Sequence, residues 1–161
     1  METKDPLDES PVLVSACLAG VPSRYDATGS FQNEVAKLVA EGRAVPVCPE
    51  VDGGLGTPRP PAEIVGGDGA DVIEGRARVL TKEGEDVTSA YLKGAHIALE
   101  AAQRSGARVA ILKARSPSCG RGAIYDGTHS RSLTTGDGVT VALLRKHGIE
   151  VLSEEDVAGS S

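Results

Sequence analysis

RVAILKARSPSCGRG, residues 108–122, decides the architecture: a short continuous apolar run passes directly into a polar loop that carries Pro117, Cys119 and Gly120. An unbroken apolar run of this length, bounded by turn formers, reads as a strand buried on both faces, as in a parallel sheet. Upstream, Asp86 is placed to cap a helix from about Val87 to Arg104. Val87, Tyr91, Ile97, Ala98 and Ala101 supply much of its apolar face, and Gly106 ends it. Downstream, a helix over Asp137 to His147 stops at Gly148 and gives way to the short strand IEVL. Strand, loop, helix, strand is the order of a parallel crossover.

The same grammar extends toward the amino terminus. Val12 to Ala16 reads as a buried strand that runs into Cys17 and the turn-rich loop LAGVPSRYDATG. Phe31, Val35, Leu38 and Val39 recur at helical spacing until Gly42, after which AVPV forms a second strand ending at Cys48. PEVDGGLGTPRPP, residues 49–61, is too rich in Gly and Pro for a regular element and reads as a loop walling a pocket. Ile64 to Val65 and Arg76 to Leu80 flank a Gly- and Asp-rich turn and read as a small hairpin at the edge of the sheet. The expected class is therefore α/β: a single-domain, Rossmann-like three-layer fold over residues 1–161, with a mostly parallel sheet, a small edge hairpin, and flexible tails at 1–10 and 156–161.

Composition narrows the function. The chain is 40% hydrophobic and 25% charged, which is ordinary for a globular protein. Aromatic residues make up 2% and the formal net charge is -6, a poor match to a nucleic-acid polymer, which needs stacking rings and positive charge. No apolar run reaches the roughly 18 residues of a membrane span. The start METKDPLDESP is acidic and polar, unlike a signal peptide, so a cytoplasmic protein with no membrane partner is expected.

In that compartment three widely separated cysteines point to chemistry before disulfides. No CxxC pair is present, which removes the zinc-ribbon and thioredoxin patterns. Each cysteine follows a predicted strand: Cys17 and Cys48 directly, Cys119 a few residues past Lys113. In parallel α/β folds ligands bind beyond the carboxyl ends of the strands, so all three thiols can converge on one rim. Zinc with His129 as a further ligand and an iron-sulfur cluster both suit such a set. The rival readings are three buried core cysteines, a metal- or redox-sensing module, and a cysteine that carries persulfide sulfur.

VSACLAGVPSRYDATG (14–29), VCPEVDGGLGTPRPPAEI (47–64) and ILKARSPSCGRGAIYDG (111–127) resemble the small bacterial proteins that include the thiouracil desulfidases. The resemblance runs from about Leu13 to Val151. It implies a 4Fe-4S cluster bound by Cys17, Cys48 and Cys119, and removal of sulfur from a small thiolated substrate such as 2-thiouracil. Many relatives carry a further cysteine where this chain has Ser23. Three cysteines still leave one iron of a cubane open for substrate.

Desulfidation needs a polarised thiocarbonyl, a water and a group to move protons. Glu50, two residues after Cys48, is the expected proton-transfer residue. Ser116 is the expected donor to substrate or intermediate, with Ser118 as its rival and a substrate contact. Arg24, Tyr25, Asp26 and Arg59 are candidate substrate binders, with a local ion pair that ties the loop down as the alternative for the charged ones, and Arg121 either supplies positive charge beside Cys119 or faces water. GDGVT at 136–140 lacks a phosphate-loop pattern and reads as helix capping, while His96 reads as a packed or surface helix residue and His147 as a helix-end residue whose positive charge suits the dipole.

Overall fold

The computed structural model describes residues 11–16, 33–56, 62–113, 118–130 and 132–153. The expected tails at 1–10 and 156–161 lie outside the described residues, as do Cys17, Ser23, Arg24, Tyr25, Asp26, Arg59 and Ser116.

Four short strands build the central sheet: β1 (Val12–Ser15), β2 (Ala44–Val47), β5 (Val109–Leu112) and β8 (Glu150–Ser153). Their order is β2-β1-β5-β8, and every pairing is parallel. Alternate side chains go to opposite faces. Leu13, Ala110, Leu112 and Val151 join the larger core cluster. Val12, Val14, Val109 and Ile111 join a second cluster with Val35 of α1 (Asn33–Ala40). The two inner strands, β1 and β5, are buried throughout because both faces are covered, which is why they read as continuous runs in the sequence.

The larger cluster is closed by α4 (Thr88–Ser105) and α5 (Val139–Lys146). Tyr91, Ala95, Ala98 and Ala102 form the buried stripe of α4, with Leu99 beside them, whereas Ile97 and Ala101 are only half-buried. The shift follows from helical spacing, since positions three or four apart from Tyr91 share its face. Asp86 sits just ahead of α4, and its Oδ1 accepts from the Thr88 amide at 2.9 Å. Gly106 ends the helix in the left-handed region at φ 78, donating to the Ala102 carbonyl. Val39 faces solvent despite its place in the α1 pattern.

The hairpin pairs β3 (Ala62–Val65) with β4 (Arg78–Thr81) antiparallel, as its own two-stranded sheet and not as an added edge strand of the central one. Its connection contains α3 (Gly69–Ile73), started by a capping box between Asp68 and Asp71. A second hairpin, β6 (Ala123–Tyr125) with β7 (Leu133–Thr135), follows the Cys119 turn. Neither α3 nor β6 and β7 are apparent from periodicity, because each is too short to establish one.

The segment after Cys48 also departs from the loop reading, since Pro49–Asp52 forms the single-turn helix α2. Proline is tolerated at the first helical position, where its missing N–H has no intrahelical partner to lose. α2 lies on α4 at backbone distance. A Cβ on Gly94 would stand 1.8 Å from the Pro49 carbonyl oxygen, and one on Gly53 would stand 2.0 Å from the Ala90 carbonyl oxygen. Gly94→Ala therefore forces α2 off α4. We expect it to cost about 1–3 kcal/mol in denaturant unfolding, the usual range for overpacking, whereas Gly75→Ala, with open space around its Cβ position, pays only the strain of its positive φ and leaves α2 seated.

Candidate metal centre

The chain leaves β1 for β2 on one side and comes back to β5 on the other, so the direction of strand progression reverses between β1 and β5. At such a switch point the loops leaving adjacent strands part and open a crevice at the carboxyl ends. Ser15 is the last residue of β1 and Lys113 the first beyond β5. The Lys113 amide donates to the buried Ser15 hydroxyl at 2.8 Å, tying the two ends together.

Cys119 returns to this point and is 5% exposed. The Ser15 hydroxyl hydrogen-bonds its sulfur, the Ser118 Oγ lies 3.8 Å from it, and the charges of Glu50 and Cys48 are near enough to act on it. Burial pushes the Cys119 thiol far above the usual thiol range. The Ser15 hydrogen bond opposes that rise, Glu50 adds to it, the Ser118 hydrogen bond opposes it again, and Cys48 adds a little more. Without a metal, this sulfur is a neutral thiol at physiological pH.

The turn that carries Cys119 is bolted to the start of α5. The Ser118 carbonyl accepts from the Thr140 amide at 2.9 Å and the Val141 amide at 3.3 Å, so it satisfies N–H groups that the helix itself leaves open. The hydroxyls of Ser118 and Thr140, both fully buried, lie 2.6 Å apart. Gly138 donates to the Gly120 carbonyl at 2.7 Å, and Gly122 to Asp137 Oδ1 at 2.7 Å. Asp137, expected to start a helix, instead braces this turn and pairs with Arg145 at 2.9 Å.

Cys48 and Glu50 arrive from β2. Cys48 is half-buried and occupies the N-cap position of α2 in an extended conformation. Its carbonyl accepts from the Asp52 amide at 2.8 Å, and its own amide donates to Asp52 Oδ2 at 3.3 Å. Glu50, also half-buried, stands in the first turn. The close seating of α2 on α4 through Gly53 and Gly94 thus sets where both side chains start.

Of the residues singled out from the sequence, Ser118 lies against Cys119, and Cys48 and Glu50 stand just past the end of β2, close enough for their charges to act on the Cys119 thiol. Cys17, Arg24, Tyr25, Asp26, Arg59 and Ser116 lie outside the described residues. Among the described residues, no three His, Cys, Asp or Glu side chains form a complete metal site. Arg121 is half-buried just past Cys119. His129 is engaged elsewhere: its amide donates to Glu63 Oε1 at 3.1 Å, its Nδ1 lies 3.9 Å from Glu63 Oε2, and it holds a positive φ of 59. Two residues of the centre were missed in the sequence, Ser15 and Thr140. The signal for Ser15 was a hydroxyl at the end of an otherwise apolar strand run; nothing local marks Thr140.

Soft sulfur donors at the switch point of a parallel α/β sheet define a class, a protein that holds a thiophilic metal or cluster beside a small ligand crevice. The sequence profile of 2-thiouracil desulfurase matches residues 12–156. The chain belongs to the 2-thiouracil desulfurase family, whose members cleave carbon–sulfur bonds. It is 49% identical over 146 residues to uncharacterized protein YbbK of Bacillus subtilis strain 168, spanning 91% of this chain and 97% of that one. Among solved structures it is similar to the 4Fe-4S-dependent thiouracil desulfidase TudS, with a TM-score of 0.81, 46% identity, and coverage of 91% of this chain and 92% of the other. Among the described residues no helix is long and apolar enough to cross a membrane.

The two described thiols differ in accessibility, which gives a direct check. In metal-free protein, iodoacetamide at pH 8 is expected to modify Cys48 well before Cys119, and denaturant should abolish the difference. Equal native labelling of both, read by peptide mass spectrometry, contradicts the burial of Cys119.

Proposed function

We propose that the chain is a 4Fe-4S-dependent desulfidase that takes sulfur from 2-thiouracil or a related thiolated nucleobase or thioamide, giving a uracil-type product and hydrosulfide. The observation that carries this reading is the placement of buried Cys119, held against the end of β1, and of Cys48 and Glu50, just past the end of neighbouring β2, at the carboxyl ends of a parallel sheet in a chain of the 2-thiouracil desulfurase family. The donor set fits the cluster. Thiols are the ligands iron-sulfur clusters use, and the Cys119 sulfur sits in a buried pocket that already offers it hydroxyl hydrogen bonds.

Cys17, Cys48 and Cys119 would be the three ligands. Bound by three thiolates, a cubane cluster supplies one iron without a protein ligand, a Lewis acid for the thiocarbonyl sulfur. The protein's own groups do the rest. Glu50 takes a proton from the water that attacks the thiolated ring carbon, and returns one as the carbon–sulfur bond breaks. Water contributes the oxygen of the product and the sulfur leaves as hydrosulfide, so the net reaction is hydrolytic and needs no electron donor. Ser116 donates to the substrate or the tetrahedral intermediate. Arg24, Tyr25, Asp26 and Arg59 are the substrate binders this reading expects from the sequence. Ser118, read from the sequence as a substrate contact, has its hydroxyl against Thr140 and Cys119, which favours a role in seating the ligand.

Anaerobic reconstitution of the variants separates these roles. Cys17→Ser, Cys48→Ser and Cys119→Ser should each lose the cluster and uracil formation together. Glu50→Gln should retain full iron and lower 2-thiouracil turnover by about 10²–10⁴-fold, the usual worth of positioned acid-base catalysis. Full turnover in iron-replete Glu50→Gln removes Glu50 from the chemistry, and activity surviving in all three cysteine variants removes the cluster.

A further inference from the structure

Around Cys119 lie two hydroxyls that the proposed chemistry does not use. Ser15 is 4% exposed and Ser118 fully buried, so neither is a surface serine that happens to be near. The position of their protons follows from their other partners. The Ser15 oxygen already accepts from the Lys113 amide at 2.8 Å, which leaves its own O–H to donate, and the Cys119 sulfur is the acceptor it meets. A metal-bound thiolate can only accept. Ser118 must then turn its O–H to the sulfur 3.8 Å away, and Thr140, 2.6 Å from the Ser118 oxygen, becomes the donor to Ser118. Two hydroxyls, from β1 and from the Cys119 turn, are thus left to donate to a single sulfur, and Thr140 of α5 stands behind the second.

Hydrogen bonds to a ligating sulfur draw electron density from it, stabilise the reduced form of a cluster, and leave its iron more electron-poor. We propose that Ser15, assisted by the Ser118–Thr140 pair, is a positioning residue that donates to the Cys119 sulfur and so raises both the reduction potential and the Lewis acidity of the cluster. The proposal rests on the reading that Cys119 is a cluster ligand. It gives Ser15 two duties at the β1–β5 junction: it ties the strand ends through Lys113 and tunes the ligand through its proton.

The test is spectroelectrochemical titration of anaerobically reconstituted wild type, Ser15→Ala, Ser118→Ala and Ser15→Thr, each with iron counted and its thiolate-to-iron absorption recorded. At wild-type iron content, Ser15→Ala and Ser118→Ala should titrate at more negative potential and shift the charge-transfer band, and Ser15→Thr, which keeps the hydroxyl, should return both toward wild type. Potentials and bands unchanged in the two alanine variants overturn this inference while leaving the cluster reading intact. If Ser15→Ala fails to take up iron, recovery of iron and potential in Ser15→Thr supports the donor role, and failure of both assigns Ser15 to packing and overturns it. Wild type that takes up no iron overturns the cluster reading, and this inference with it.

Discussion

The hydrogen bond from the Lys113 amide to the Ser15 hydroxyl joins the carboxyl ends of β1 and β5 at the place where the sheet reverses its order of progression. A part-buried amide at the end of a strand has to find an acceptor, and here it finds a side-chain hydroxyl in place of a backbone carbonyl. Because that acceptor is a hydroxyl, it retains a proton to give, and the sulfur of Cys119 receives it. One side chain therefore closes the sheet and opens the site. The rest of the centre is arranged to bring other elements to that junction.

Two devices do so, and both work through backbone. The Cys119 turn is fixed by the free amides of α5, which bind the Ser118 carbonyl, and by Asp137, which holds the Gly122 amide. α2 is fixed by the absence of side chains at Gly53 and Gly94, which lets its carbonyls and those of α4 approach where any Cβ would collide. The first device delivers a buried thiol, the second a half-buried thiol and a carboxylate two residues apart across Pro49. Rigid delivery suits a ligand set that must hold its geometry while one coordination position stays open.

The centre of the sheet was legible because β1 and β5 are buried on both faces, and double burial writes itself as the apolar runs VLVS and VAIL. α4 and α5 were legible from their spacing and their terminal glycines. α2 was hidden by composition: a segment dense in Gly and Pro reads as loop, although Pro49 directly after an extended Cys48 is a helix start. α3 was hidden because its capping box uses Asp71 where Glu or Gln is the usual signature. In the site, the sulfur residues and Glu50 stood out because cysteine is rare and their places after strands repeat. The hydroxyls did not. Ser15 and Thr140 gain their meaning only from partners 98 and 22 residues away in the chain, Lys113 for the one and Ser118 for the other.

The proposed chemistry depends on three cysteines holding a cluster with a single iron left to the substrate. Mössbauer spectroscopy of the chain reconstituted with iron-57, before and after addition of 2-thiouracil, tests it most directly. The account predicts a 4Fe-4S spectrum in which the signal of one iron site changes on adding the thiolated base, while the sites held by protein thiolates stay as they were. A spectrum in which no site responds to the base, or a chain that assembles no 4Fe-4S cluster at all, would contradict it.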